Sequence, residues 1–209
     1  MRHGARGLAD EVAATPHDSP GVSYAEPDHW LTDTEEVRLA DRTLQVLATP
    51  GHTAEHVVFH DADQGLLFAG DHVLPSITPS IGFEPQLRPL PLADFLTSLQ
   101  RMLDLPDARL LPAHGAWGGS VHERARELLD FHEERLAQIL LVVRAGEANA
   151  WEIAVQVPWT RHGHRLATMS QFNRMLAVLE TAHHLRVLEE RGLTRMQRSG
   201  EVLTFRALD

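Results

Sequence analysis

Thr49-Pro50-Gly51-His52-Thr53-Ala54-Glu55-His56, with the Leu66-Leu67-Phe68-Ala69-Gly70-Asp71-His72 that follows it, is the stretch on which the reading of this chain turns. Leu44, Val46 and Leu47 lead into the first segment as a strand, and Pro-Gly turns that strand into a histidine. In the second, an apolar strand stops at Gly70 and is followed at once by Asp71. A strand ending in glycine beside a metal-seeking side chain holds a ligand rigidly at a sheet edge. Leu110-Leu111-Pro112-Ala113-His114-Gly115 repeats the device with another histidine. Imidazole and carboxylate are the nitrogen and oxygen donors that zinc and similar ions accept.

Working outward, Thr43–Ala48 and Glu36–Leu39 read as strands joined by an Ala40-Asp41-Arg42 turn, and His56–His60 and Leu66–Ala69 as two more around Asp61–Gly65. Residues 73–91 are proline-rich and carry no period, which predicts a long ordered loop near the site. Leu92, Phe95, Leu96, Leu99, Met102 and Leu103 mark a helix that stops before Pro106. A strand over Ala108–Leu111 then delivers His114, and a helix from Val121 to Arg144 follows the Gly118-Gly119-Ser120 cap. An amphipathic helix is expected at Arg2–Ala14, and a loop of turn formers at residues 15–21. After Gly146 the pattern becomes mostly helical. A short helix over Ala150–Val155, a longer one over Ser170–Arg191 ended by Gly192, and a hairpin over Leu193–Met196 and Val202–Phe205 are expected.

These residues resemble the metallo-β-lactamase superfamily, whose later metal motifs are Thr-Pro-Gly-His-Thr, Phe-x-Gly-Asp-His and Pro-x-His-Gly, all present here in order. The resemblance implies an α/β chain of the αββα metallo-β-lactamase fold. It makes His52 a ligand of a first metal, Asp71 the carboxylate bridging two metals, and His114 a ligand of the second. No separate catalytic side chain is assigned. The helix–helix–hairpin ending is similar to the C-terminal winged helix of one family branch, which includes an endoribonuclease. The domains implied are residues 1–145, metallo-β-lactamase-like, and residues 146–209, winged-helix-like. The activity implied is hydrolysis by a zinc-bound hydroxide of an ester, thioester, lactam or phosphodiester, with two Zn2+ normally held per chain. The family's His-x-His-x-Asp-His motif is absent from the sequence. The chain opens where that motif should end, so the expectation is an N-terminally incomplete hydrolase with reduced or lost metal occupancy, an unpaired sheet edge and exposed apolar surface. Two other readings stay open: an inactive binding or oligomerisation module, and a winged-helix nucleic-acid-binding protein.

The totals narrow these choices. With 209 residues there is room for one core and a small appendage. No apolar run nears the roughly 18 residues of a membrane span, and no signal-peptide pattern opens the chain. Without cysteine, any metal must be held by histidine and carboxylate, and the cytoplasm is the default compartment. A net charge of −10 argues against broad contact with nucleic-acid phosphates. The expected second long helix balances Arg174, Arg186 and Arg191 against Glu180, Glu189 and Glu190, which favours packing or homo-oligomerisation over phosphate binding. Whether the substrate is a small molecule or RNA stays open.

Among the 14 histidines, His56 and His72 either orient a ligand or are ordinary hydrogen-bonded strand-end residues. His60, placed relative to Val58, is expected to face solvent. His122, His132, His183 and His184 lie on helices, where a packed or exposed histidine is the common case. His162 and His164 are read as a polar loop, and His3 and His17 are assigned nothing.

Overall fold

The structure is a computed structural model that describes residues 2–14, 25–84, 88–159 and 165–208. The expected loop at residues 15–21 and the His162/His164 reading lie outside the described residues. The chain forms two compact units, His29–Glu134 and a unit built from Met1–Asp28 with Arg135–Asp209. The first helix, α1 (Arg6–Ala14), belongs to the latter.

In the unit His29–Glu134, five strands are ordered β1 (Glu36–Arg38), β2 (Thr43–Ala48), β3 (Val57–Asp61), β4 (Leu66–Gly70), β5 (Arg109–Pro112). The first four pair antiparallel as successive hairpins, whereas β5 returns parallel to β4. A parallel neighbour needs a crossover, supplied by α2 (Pro91–Leu103), with proline in its first turn where a missing N–H is harmless. Alternation along the strands puts Leu47, Val58, Leu67, Ala69 and Leu110 into a core with Leu92, Phe95, Leu99 and Met102 of α2 and Leu128 of α3 (Val121–Ala145). Burying each large side chain of this kind contributes about 1.5–3 kcal/mol. The cross-strand pair Phe59–Phe68 lies on the opposite face, where Phe68 is 38% exposed. The outer edge of β5 is paired with its own downstream chain: Gly118 N–H donates to Leu110 O (2.7 Å) and Leu110 N–H to Gly119 O (3.0 Å).

One sequence expectation is corrected here. His60 is 5% exposed, not solvent-facing. Residues two apart on a strand share a face, so His60 points where the buried Val58 points, and burial pushes its pKa down.

In the other unit, β6 (Ala148–Asn149), a strand with no sequence signal, pairs with β8 (Val202–Ala207), which pairs in turn with β7 (Thr194–Ser199). Asn149 caps α4 (Ala150–Gln156) in a reciprocal box with Glu152, and Ser170 caps α5 (Gln171–Glu190). Their inner faces bury Ile153, Val178, Leu185 and Leu188 with Phe205 of β8.

Two groups on α5 titrate abnormally. Burial pushes the Glu180 carboxyl up to about 7, against the pull of the Arg135 charge, and its Oε1 is buried without a hydrogen bond. Burial, then the His3 charge, pushes His183 down to about 4. On going from pH 7 to 5, folding therefore takes up a proton at Glu180 and releases one at His183. Acidification stabilises through the first and destabilises through the second, by about 1–2 kcal/mol each. Relative to wild type, Glu180→Gln should lose more stability between these pH values and His183→Leu should lose less, read as urea midpoints. Identical pH slopes in the three proteins would contradict these burial assignments.

Candidate metal centre

Strand direction gathers the expected site. Because β3 is antiparallel to both β2 and β4, and β5 is parallel to β4, the chain leaves β2, β4 and β5 at one end of the sheet. His52 follows β2, Asp71 follows β4 directly, and His114 follows β5. His56, just before β3, starts from that same end.

Each approach is fixed by local chemistry. Gly51 lies against α2, where a Cβ would sit 2.4 Å from Phe95 Cβ and 2.6 Å from Phe95 Cα, and its φ is +143°. Only glycine brings the His52 turn that close. Ser98 Oγ–H also donates to Pro50 O at 2.9 Å. His52 Nδ1 lies 2.6 Å from Ser80 O. A carbonyl only accepts, so Nδ1 carries the proton and the Nε2 lone pair is left free to bind a cation. At Gly70 (φ +52°) a Cβ would meet His56 Nε2 at 2.7 Å. That close approach lets Asp71 N–H donate to His56 Nε2 at 3.2 Å. His56 is therefore protonated on Nδ1, which donates to Thr49 Oγ1 at 2.8 Å. Burial, then the His52 charge, depresses its pKa, with Asp71 opposing. With both nitrogens in use, His56 is the residue that seats Asp71. His72 is fully buried against Phe95 (ring centroids 5.2 Å apart), and burial, then the His56 charge, pushes its pKa down to about 3. It is a neutral core residue.

The three expected ligands converge on Asp71. His52 Nε2 lies 3.7 Å from Asp71 Oδ2, and His114 Nε2 lies 3.5 Å from Oδ1. Both separations are too long for hydrogen bonds, and Oδ1 is buried without one. Ligand atoms sharing a tetrahedral zinc are roughly 3.4 Å apart, from metal–ligand distances near 2.1 Å. The spacings, the orphaned oxygen and the N/O donor set all fit a metal ion. The rings face different oxygens of one carboxylate, as ligands of two bridged positions would. His52 and Asp71 are partly covered, and the His114 side chain is 70% exposed.

Sequence reasoning missed Ser80 and Arg124. The Ser80 group is a main-chain carbonyl, which leaves no residue-type signal. Arg124 did leave one: it falls on the stripe of Val121, Ala125 and Leu128, an apolar helix face where a charge needs partners.

Comparison with known proteins gives the family of the chain. The family model described as the Metallo-beta-lactamase superfamily matches residues 1–114. The chain is 32% identical over 156 residues to a Beta-lactamase-like protein 2 homolog of Caenorhabditis elegans, covering 72% of this chain and 49% of that protein. It is 32% identical over 115 residues to the human Acyl-coenzyme A thioesterase MBLAC2, covering 50% of this chain and 39% of that one. A crystal structure of a metallo-beta-lactamase family protein from Thermus thermophilus superposes with a TM-score of 0.71 at 32% identity, over 85% of this chain and 54% of that chain. The chain thus spans about half the length, or less, of these relatives. By the family match and the likeness to these proteins, the chain belongs to the metallo-beta-lactamase superfamily.

Proposed function

We propose that His52, Asp71 and His114 are metal ligands of a zinc-dependent hydrolase whose substrate is a thioester. The observation that carries the reading is the convergence of the His52 and His114 Nε2 atoms on one carboxylate with an unsatisfied buried oxygen. Zinc bound there supplies an acidified water and a Lewis acid for the scissile carbonyl. The chain's own groups do the rest. Ser80 O fixes the His52 tautomer, His56 holds the main chain of Asp71, and Asp71 spans the two imidazoles. The thioester class is favoured by likeness to an acyl-coenzyme A thioesterase. A nucleic-acid role for the C-terminal elements is not favoured. On α5, Arg174 is paired with Glu11 at 2.6 Å and Arg186 with Glu189, so two of its cations are already engaged.

Stripped of metal and titrated with zinc against a chromophoric chelator, the chain should bind zinc. His52→Ala and His114→Ala should each weaken that binding by at least roughly tenfold, the smallest loss seen even for outer partners of a ligand. Unchanged affinity in both variants would remove the site. The zinc-loaded chain should release thiol from an acyl-coenzyme A faster than it cleaves bis(p-nitrophenyl) phosphate. The reverse order would keep the metal site and discard the thioester.

A further inference from the structure

Arg124 lies on α3 with only 8% of its surface exposed. Its Nε–H donates to Leu74 O at 2.6 Å, an Nη2–H to Ile77 O at 3.0 Å, and an Nη1–H to Glu127 at 2.7 Å. The planar fork of a guanidinium fixes two carbonyls at once, which a point charge does not. What it fixes is the first turn of the segment that follows Asp71. Pro75, beside Leu74, packs so tightly on the His114 turn that a Cβ on Gly115 would lie 2.8 Å from its Cγ. Three residues beyond Ile77, Ser80 O receives the His52 Nδ1–H. Gly82 N–H then donates to Gly51 O at 2.9 Å and, more weakly, to His52 O at 3.2 Å. The segment is therefore gripped by Arg124 at its start and clasped to the His52 turn at its end.

We propose that Arg124 is a positioning residue. Acting through the main chain of residues 74–82, it sets which nitrogen of His52 carries the proton, and so which nitrogen is free for a cation. Its functional meaning rests on the reading of His52 as a metal ligand, but the ring's state can be read with no metal present. A structural role alone would make Arg124 a stabiliser of α3 and the loop, with no effect on the His52 tautomer.

The test is 15N NMR of the histidine rings of the metal-free full chain, with His52 assigned from the signal lost in His52→Gln. In the wild type His52 should be held with the proton on Nδ1. In R124M the ratio of the Nδ1–H to the Nε2–H form should fall roughly fivefold, the effect of one ordinary hydrogen bond. R124K, which can grip one carbonyl, should fall in between. Met102→Ala, which opens the core in α2, should lower stability and leave the ratio alone. A His52 tautomer unchanged in folded R124M overturns the proposal; if R124M does not fold, an unchanged tautomer in R124K overturns it instead. Zinc titration of the same variants separates the two readings. R124M should bind roughly tenfold more weakly. A wild-type chain that holds no zinc, while its His52 tautomer still answers to Arg124, would end the metal reading and leave the positioning intact.

Discussion

Gly51→Ala is expected to destabilise the protein by more than about 3 kcal/mol, as overpacking and backbone strain each contribute about 1–3 kcal/mol. The new methyl would fall 2.4–2.8 Å from Cβ, Cα and N of Phe95. Two of those atoms are helix backbone, and Phe95 is fully buried, so neither partner can swing aside. Gly65→Ala is the control. It has φ +60° and nothing within 4 Å of its added methyl, so it meets strain without collision. Urea denaturation should place Gly51→Ala well below Gly65→Ala. Equal midpoints would mean that the His52 turn does not rest on α2. Any Gly51→Ala protein that folds by moving the turn should also lose the His52–Ser80 bond and bind zinc poorly.

Asp71→Asn should have the larger functional effect. Asp71 faces both imidazoles, so its loss should weaken zinc binding by more than roughly 100-fold, beyond what changes in outer partners cause. Each histidine variant removes one donor, whereas Asp71→Asn removes the charge that both positions share. Stability without metal should move the other way or not at all. The carboxylate leaves Oδ1 buried and unpaired, and a neutral amide of the same shape is cheaper to bury. Equal zinc affinity in Asp71→Asn and wild type would refute the bridging role. A sharply lower metal-free midpoint would show that Asp71 is a structural cap at the end of β4.

The strands that lead to His52, Asp71 and His114 were legible because two signals coincide in them. Apolar runs mark Leu44–Leu47, Leu66–Ala69 and Leu110–Leu111, and Gly51, Gly70 and Gly115 mark where the backbone must leave the sheet closely packed. That His52, Asp71 and His114 meet follows from strand direction, which hairpin spacing between β2 and β4 already implies. The direction of β5 was also readable, since the α2 crossover calls for a parallel return. The face of His60 could have been read from period 2, and Val58 gave the answer. Other features were out of reach. The two-residue strand β6 exists only because β8 offers it an edge. The pairing of Glu11 on α1 with Arg174 on α5 joins residues 163 apart that no local pattern relates. The His52 tautomer depends on a carbonyl, and every residue has one.

The grip on residues 74–82 is made through the main chain: Leu74 O, Ile77 O, Ser80 O and Gly82 N. Their attachments do not specify side chains at Ser76, Ile77, Thr78 or Ser80, and Ile77 is exposed. This separates two kinds of inheritance. Substitutions along the segment can accumulate and redress the wall beside the candidate centre, while Arg124 and Gly51 hold the main chain that flanks it. A library randomised at positions 76–78 should yield mostly folded, zinc-competent proteins with divergent substrate preferences. Selection could thus explore new chemistry in that stretch without first rebuilding the centre.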